Sequence, residues 1–154
     1  MRAVVQRVSR AMLTVDGRDV ASFDAPGGLV VLAGLEERDT ADDRRWMAEK
    51  ISNLRVFADE QGRMNLSVLD VGGSVLMVPN FTVAGDATRG RRPSFDNAMQ
   101  PPRAAEEFAL LVAAVRTHCP RVCEGVFGAH MHVELVNDGP VTIVLHSPGT
   151  VVAP

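Results

Sequence analysis

The apolar residues of this chain are grouped in short runs that glycine turns separate. Three such runs, AVVQRV, AMLTV and GLVVLAGL, lie within the first 35 residues, with Gly17 and the pair Gly27–Gly28 between them. A further run, SVLMV at 74–78, is apolar throughout, and MHVELV and VTIVLH flank the turn sequence NDGP at 137–140. Apolar runs of this length, bounded by turn residues, predict β-strands. The chain must therefore build its fold around a sheet.

Two stretches change from the strand pattern to a helical period. In residues 40–54, Thr40 can cap a helix whose first turn holds Asp42 and Asp43, where negative charge suits the helix dipole. A second helix is expected after Pro101–Pro102, since proline is tolerated in a first helical turn. Between these stretches, RVFAD and RMNLSV around EQG predict a hairpin. The two helices have apolar faces formed by Met47, Ile51 and Leu54, and by Ala104, Phe108, Leu111, Val112 and Val115.

These elements predict one domain of the α+β class, with a mainly antiparallel sheet and two main helices. The length of 154 residues suits a single domain, and 46% hydrophobic with 23% charged residues is an ordinary globular composition. The longest apolar run, FALLVAAV, is far shorter than the roughly 20 residues of a membrane span, and the amino terminus lacks a signal-peptide pattern. Cys119 and Cys123 are expected to be reduced thiols. We therefore expect a cytoplasmic protein that contacts no membrane.

The charge of the chain is unevenly distributed. The formal net charge is −3, which argues against indiscriminate nucleic-acid binding. Residues 89–103 nevertheless carry four arginines against one acid, Asp96. Arg89, Arg91 and Arg92 in RGRRPSF either form a solvated loop or contact phosphate, whose oxygens the guanidinium fork matches. The pattern therefore indicates one local anionic contact on an acidic body.

The motifs of many enzyme classes are missing from the sequence. It contains no GxGxxG, GxxxxGK[ST] or GxSxG pattern. His130, His132 and Glu134 alternate along one predicted strand and would project from one face, which leaves a metal hydrolase as an alternative. Successive side chains on that face lie about 6.8 Å apart, which is wide for three ligands of one ion. We predict a solvated polar face, no metal and no cofactor, and a hairpin connection at NDGP.

Four segments of the chain carry a more specific signal in combination. They are VVQRVSRA near the start, RVFAD…G.MNLSV…GGSVLMV in the middle, then FTVAGDATRGRRPSF, and finally GVFGAHMHVELVNDGPVTIVL. In this order and spacing they resemble the D-aminoacyl-tRNA deacylase family, also called D-tyrosyl-tRNA deacylase. The resemblance runs from Met1 to about Leu145. It predicts a deacylase-like domain over residues 1–147, followed by a loose tail over 148–154.

The resemblance implies a hydrolase that proofreads chirality in translation. Family members cleave the ester between a D-amino acid and the 3′-terminal adenosine of tRNA, and they also accept glycyl-tRNA. They are homodimers, and the sheet is completed around the dimer interface. The resemblance further implies that Gly139–Pro140, with a cis peptide bond, reaches into the partner's pocket. There its rigid carbonyls would occupy the space that an L side chain needs, so L esters would be excluded.

The resemblance also implies which residues form the pocket. The family is thought to rely on the 2′-hydroxyl of the RNA, helped by main-chain donors around a short motif at a strand end. That motif corresponds here to Asn80, Phe81 and Thr82, and Phe127 and Met131 are expected to line the adenosine or aminoacyl side. The arginine cluster would grip the acceptor end of the tRNA, mostly through phosphate.

One part of the motif departs from the family. The usual sequence is Ser-Gln-Phe-Thr-Leu, whereas this chain has Pro79 and Asn80 before Phe81. Proline removes a hydroxyl and a backbone donor, and asparagine is one methylene shorter than glutamine. The departure leaves an alternative open, namely a catalytically weak module that binds the aminoacyl-tRNA end, or a deacylase of altered specificity.

Overall fold

A computed structural model describes residues 1–149 of the chain. Within this range it contains eight β-strands, two α-helices and one 3-10 helix. The strands are β1 (Arg2–Val15), β2 (Arg18–Phe23), β3 (Gly28–Gly34), β4 (Phe57–Ala58), β5 (Met64–Leu66), β6 (Ser74–Pro79), β7 (Val122–Glu124) and β8 (Met131–His146). The helices are α1 (Ala41–Asn53), α2 (Arg103–His118) and the 3-10 helix (Phe81–Ala84).

Strand β1 organises the main sheet because it pairs with three other strands. Its first half, Arg2–Val8, pairs with β3, and its second half, from Ala11 to Val15, pairs with β2. Strand β8 follows β1 along the opposite edge, from Arg2 to Val15. All three pairings are antiparallel. Register shifts between Gln6 and Arg10 mark where the β1–β8 ladder is irregular, which allows the sheet to bend.

The prediction of a mainly antiparallel sheet is wrong, because the other half of the sheet is parallel. Strand β6 pairs in parallel with both β3 and β7, so the sheet of order β2-β1-β3-β6-β7 is mixed. The cause lies in the connections. Helix α1 lies between β3 and β6 in the chain, and α2 lies between β6 and β7. A connection that contains a helix carries the chain back to the same end of the sheet, so the next strand runs parallel.

The expected hairpin at NDGP is also wrong. Residues 131–146 form one continuous strand, β8, that remains paired with β1 on both sides of this sequence. Asn137 is opposite Val8 and Thr142 is opposite Gln6, so the four residues 138–141 of β8 lie against the single residue Arg7 of β1. These residues form a bulge, which a turn sequence tolerates. Gly139 has a φ of 122°, and the Gly139–Pro140 peptide bond is cis.

The helices and the short hairpin agree with the sequence analysis. Thr40 caps α1 in a reciprocal arrangement with Asp43, and α2 begins immediately after Pro101–Pro102. Strands β4 and β5 pair as the predicted hairpin. The expected apolar stripe of α2 is buried against the sheet, together with Met47 and Ile51 of α1.

Two apolar cores lie on opposite faces of the strands β3 and β6. Leu29, Val31 and Met77 face the helices, whereas Val30 and Leu76 face the inside of the curved sheet, against Leu13 of β1. Both strands are therefore buried on both faces, which explains why their sequences are apolar without alternation. Cys119 and Cys123 are both free thiols. Within the described residues, no helix is both long and apolar enough to cross a membrane.

The carboxylate of Asp43 connects the start of α1 to the end of the described chain. It accepts hydrogen bonds from the Thr40 hydroxyl at 2.7 Å and from the Gly149 amide at 3.1 Å. Burial by itself raises the pKa of Asp43, but hydrogen bonds from Ser147, Thr40 and Gly149 outweigh burial and lower the pKa to about 2. Of the tail expected over 148–154, residues 150–154 lie outside the described residues.

Replacing Asp43 tests this connection. Its pKa is lower in the folded chain than the ordinary value of 3.8, so the ionised carboxylate stabilises the fold above about pH 4, and the contribution is lost as the pH falls towards 2. We expect Asp43→Asn to reduce the free energy of unfolding at pH 7 by about 2 kcal/mol, measured by urea denaturation, with little difference from wild type at pH 2.

The neighbouring Asp42 provides the control. Its side chain is 79% exposed, and its ion-pair partner in the same turn, Arg45, is also exposed. Asp42→Asn should change the free energy of unfolding by no more than about 0.5 kcal/mol. An Asp43→Asn deficit that stays constant between pH 7 and pH 2 would contradict the assignment.

Candidate active site

A cavity of about 770 Å³ opens at the carboxyl ends of the parallel strands β3 and β6. This is the edge of a parallel pair at which ligands commonly bind, and the volume suits a drug-sized molecule. Lining residues come from both strand ends, the segment before α2, α2 itself and the start of β8. They are Leu32, Ala33, Leu35, Val78, Pro79, Asn80, Phe81, Phe95, Ala98, Met99, Gln100, Pro101, Ala104, Phe108, Phe127, Gly128, Ala129, His130, Met131 and Val133.

The 3-10 helix forms one edge of this cavity and is held there by its neighbours. The Asn80 amide donates to the Ala33 carbonyl at 2.8 Å, which ties the end of β6 to β3. The Asn80 side-chain oxygen then caps the helix by accepting from the Thr82 amide at 3.1 Å. A Cβ on Gly34 would lie 2.9 Å from both the Ala84 nitrogen and the Val83 Cβ. Only glycine at position 34 therefore allows the helix to lie this close to β3.

The three residues of the predicted motif have different positions. Asn80 and Phe81 line the cavity, whereas Thr82 does not. The Thr82 amide and hydroxyl both donate to the Asn80 side-chain oxygen. Among the described residues, the Phe81 amide donates to no other group. A main-chain donor without a protein partner at a cavity edge can stabilise negative charge on a bound substrate.

Aromatic side chains surround the opening of the cavity. The rings of Phe81 and Phe95 meet edge to face, with their centroids 5.0 Å apart. Phe81 is 58% exposed and Phe127 is 38% exposed, although both are large apolar residues. Met131 lines the same cavity and would contact any Cβ placed on Gly125. Exposed aromatic rings at an opening offer stacking surfaces for a flat ligand such as a nucleobase.

The arginine cluster projects from a loop beside these rings. Asp86 and Ser94 close the loop with two reciprocal main-chain hydrogen bonds of 2.8 Å, and Phe95 follows directly. Hydrogen bonds from the Thr88 amide and side chain lower the pKa of the Asp86 carboxyl at the base of the loop. The cluster therefore lies next to the cavity opening. All three of its cations are exposed, namely Arg89, Arg91 and Arg92.

The cavity itself is almost free of charge. Of the described residues that line it, none is an aspartate, glutamate, lysine or arginine, and His130 is the single titratable side chain. Asn80 and Gln100 supply the other polar side chains. The lining therefore offers no pair of groups for general acid–base work. The polar groups at this site are therefore main-chain groups and the side chains of Asn80, Gln100 and His130.

The predicted pair Gly139–Pro140 does not line this cavity. The bulge that contains it is held by Arg7, whose guanidinium donates to the Asp138 carbonyl at 3.2 Å and to the Val56 carbonyl. The same guanidinium forms an ion pair with the Asp138 carboxylate at 3.1 Å. Arg7 is opposite Leu29, four residues before Ala33 of the cavity, which corresponds to about 13 Å along β3. The bulge is therefore remote from the cavity of its own chain.

The polar face of β8 has the predicted alternation. His130, His132 and Glu134 are exposed, whereas Met131 and Val133 between them are half-buried. The two imidazole rings meet edge to face, with centroids 5.0 Å apart. Within residues 1–149, no group of three or more histidine, cysteine, aspartate or glutamate side chains is arranged to hold a metal ion.

Several lining residues were missed by the sequence analysis. Phe95, Met99 and Gln100 belong to the segment between the arginine loop and α2, which has no periodic pattern. Phe108 was assigned only to the apolar stripe of α2, although it also lines the cavity. The one local signal was Pro101, which marked the start of a helix and not the wall of a site.

Two solved structures have the same fold as this chain. A solved structure described as "c-Myc DNA Unwinding Element Binding Protein" superimposes with a TM-score of 0.91 and 39% identity, covering 96% of this chain and 99% of that chain. A second, described as a probable eukaryotic D-amino acid tRNA deacylase, has a TM-score of 0.77 at 18% identity and shares the fold, over 94% of this chain and 97% of that one.

Sequence comparisons then specify the family. The family model described as "D-Tyr-tRNA(Tyr) deacylase" matches residues 4–146. A D-aminoacyl-tRNA deacylase of Koribacter versatilis is 54% identical, covering 96% of this chain and 97% of its own length. One of Thermus aquaticus is 51% identical, covering 96% and 95%. The chain belongs to the D-aminoacyl-tRNA deacylase family.

The position of Arg7 predicts how the bulge behaves without it. Replacing Arg7 by methionine keeps most of the apolar stem but removes the contacts to Asp138 and Val56. We expect the amides of residues 138, 139, 141 and 142 to exchange hydrogen about tenfold faster in Arg7→Met, measured by mass spectrometry. Arg10→Met, on the same strand but exposed, is the control and should leave these amides unchanged. Unchanged exchange in Arg7→Met would show that the bulge is held by other contacts.

Proposed function

We propose that this protein hydrolyses the ester bond of D-aminoacyl-tRNA and of glycyl-tRNA. It thereby removes wrongly attached amino acids from tRNA in the cytoplasm, where aminoacyl-tRNA is used in translation. The observation that carries the proposal is an uncharged cavity with the free Phe81 amide at its edge, in a chain about half identical to curated deacylases over nearly its full length. The relatives are named for this activity.

The reaction needs little from the side chains of the cavity. Water attacks the ester carbonyl, the bond to the ribose 3′-oxygen breaks, and that oxygen takes up the proton released from the water. The neighbouring 2′-hydroxyl of the RNA assists this transfer, while the Phe81 amide donates to the developing oxyanion. Removing one such donor costs about 2.7 to 4 kcal/mol of transition-state stabilisation in other enzymes. Asn80 lines the same edge, and Thr82 acts as a positioning residue through its two bonds to Asn80.

Binding of the terminal adenosine is assigned to the aromatic opening. Phe127 precedes β8 and Met131 is the first residue of β8, and both line the cavity that Phe81 also lines. An adenine ring between such side chains gains stacking energy without a base-specific hydrogen bond. The 3′ end of the adenosine would then point towards Asn80 and Phe81 at the carboxyl end of β6.

Chiral selection is assigned to a second copy of the chain. The bulge that contains Gly139 and Pro140 is about 13 Å along β3 from its own cavity, so in this proposal the Gly139–Pro140 carbonyls reach the cavity of a partner in a homodimer. Strand β8 favours such an assembly, because one of its edges pairs with β1 while Val136 and Val144 stay exposed. The rigid carbonyls would exclude an L side chain and tolerate a D side chain or glycine.

The altered motif is compatible with this proposal. Pro79 ends β6, and Asn80 still ties β6 to β3 through its amide and caps the 3-10 helix through its side chain. The shorter asparagine therefore performs a structural role that keeps the Phe81 amide at the cavity edge. A binding module without turnover, or a deacylase for another ester, remains the alternative that the following experiment separates.

Paired hydrolysis rates provide the test. We expect D-tyrosyl-tRNA and glycyl-tRNA to be hydrolysed and L-tyrosyl-tRNA to be spared by at least about a hundredfold, because a steric block of about 3 kcal/mol gives that ratio. Pro79→Ser, assayed alongside, should change the D rate by less than about threefold. Sedimentation of each protein should show a dimer.

Two outcomes would contradict this reading. If all three esters survive and Pro79→Ser restores turnover, the chain binds the acceptor end without hydrolysing it efficiently. If the D ester is cleaved by a protein that sediments as a monomer, the partner's Gly139–Pro140 cannot be the chiral filter. Uncatalysed decay of each ester, measured without protein, sets the baseline.

The arginine cluster is proposed to contact tRNA phosphates. Replacing Arg91 and Arg92 by glutamine should weaken the binding of all tRNAs, whatever their sequence. It should also reduce the slope of log affinity against log salt concentration by about one to two, since each phosphate contact releases counterions. Filter binding at several salt concentrations measures this slope. Replacing Arg45, an exposed arginine of α1, by glutamine is the control. An unchanged slope in the double variant would remove these residues from the tRNA contact.

A further inference from the structure

His130 is unusual among the residues that line the cavity. It is the one titratable side chain of the lining, and it lies between Ala129 and Met131, which both line the cavity as well. It is exposed, as Phe81 and Phe127 are, so it belongs to the opening and not to the interior.

The position of the His130 ring is set by its surroundings. The preceding turn is closed by the Ala129 amide, which donates to the Val126 carbonyl at 3.2 Å. The following residue, Met131, is the first residue of β8 and is paired with Val15. The ring itself meets His132 edge to face at a centroid distance of 5.0 Å. The ring contact with His132 therefore keeps the imidazole on the exposed side of the cavity opening.

The chemistry of the cavity determines which part of a nucleotide would meet this ring. An uncharged lining can accept a nucleoside, but it cannot accept a phosphate, because an anion without a compensating partner loses its hydration at high cost. The phosphate on the 5′ side of a bound adenosine must therefore stay at the opening. The exposed lining residues of that opening are Phe81, Gln100, Pro101, Phe127, Gly128 and His130, and His130 is the one among them that can carry positive charge.

We propose that His130, in its protonated form, binds the 5′-phosphate of the terminal nucleotide of the substrate, so that affinity for the acceptor end rises as the pH falls. This rests on the proposed deacylase function and adds one substrate contact to those proposed for the arginine cluster. Histidine side chains change charge between pH 5 and 8, so the contact responds to pH, whereas the arginine contacts do not.

Other charged groups near His130 come from three elements. On its own strand these are His132, which meets its ring, and Glu134 two residues further on. Asp16 follows Val15, which is opposite Met131, and Glu124 at the end of β7 is paired with Arg116 at 3.3 Å. The 3-10 helix and the remaining lining residues contribute none.

Two synthetic ligands isolate this contact. Both are adenosines with a D-alanyl group joined at the 3′ position by an amide, which cannot be hydrolysed as an ester. One has a free 5′-hydroxyl, and the other has a 5′-methyl phosphate, whose single charge is constant between pH 6 and 8. We expect the phosphate to improve the calorimetric Kd about two- to fivefold at pH 6, as an exposed ion pair does, and to have no effect at pH 8.

Two variants show whether His130 causes this gain. His130→Gln should abolish the gain at pH 6, so that the two ligands bind this variant with the same Kd. His132→Gln is the matched control, because this neighbour is exposed but does not line the cavity, and it should retain the gain. A purely structural role of His130 would instead weaken both ligands equally at both pH values.

The outcomes separate this proposal from the one on which it rests. If D-aminoacyl-tRNA is hydrolysed but both ligands bind equally at pH 6, or the phosphate gain persists in His130→Gln, the role of His130 is overturned and the deacylase stands. If neither ligand binds and D-aminoacyl-tRNA is not hydrolysed, both proposals are overturned.

Discussion

The parallel pairing of β3 with β6 is the constraint on which the rest of the structure depends. The two strands begin in very close contact, because a Cβ on Gly28 would lie 1.9 Å from the Ser74 carbonyl oxygen. Both faces of the pair are then covered, one by the helices and the other by the curved sheet. Because the strands run in the same direction, their carboxyl ends meet at one edge, and the chain leaves that edge at Gly34 and Asn80. The divergence of the chain at this point opens the cavity.

The lack of charge in the cavity follows from this position. The lining is formed by residues that also belong to the apolar core or its margin, such as Val78 and Phe108. An isolated carboxylate or ammonium group there would lose its hydration without a partner. The polar groups that remain at the site are uncharged or exposed side chains, namely Asn80, Gln100 and His130, and main-chain donors such as the Phe81 amide. A substrate that brings its own hydroxyl group suits such a site, and this is why the proposed chemistry assigns no nucleophile to the protein.

Local features were predicted well from the sequence because they depend on local interactions. The capping of α1 by Thr40 involves residues three positions apart, and the β4–β5 hairpin closes around Gly62. The direction of β6 was not predictable in the same way. An apolar run such as SVLMV fits a buried strand in either direction, and only the helical connection on each side of it decides the pairing. NDGP was misread because a bulge and a hairpin require the same turn residues.

By itself, the sequence determined both α-helices, most of the strands, the apolar faces and the motif that places the chain in its family. Strand and helix periods, caps and turns depend on residues close to one another along the chain. Only the tertiary structure decided which distant segments share the cavity. It brought Phe95 and Phe127 to the opening with Phe81, and it left Gly139 on the far side of β1, held by Arg7. The physical reason is that strand pairing and burial act between residues tens of positions apart. A local sequence pattern does not specify which distant segment will pair with it.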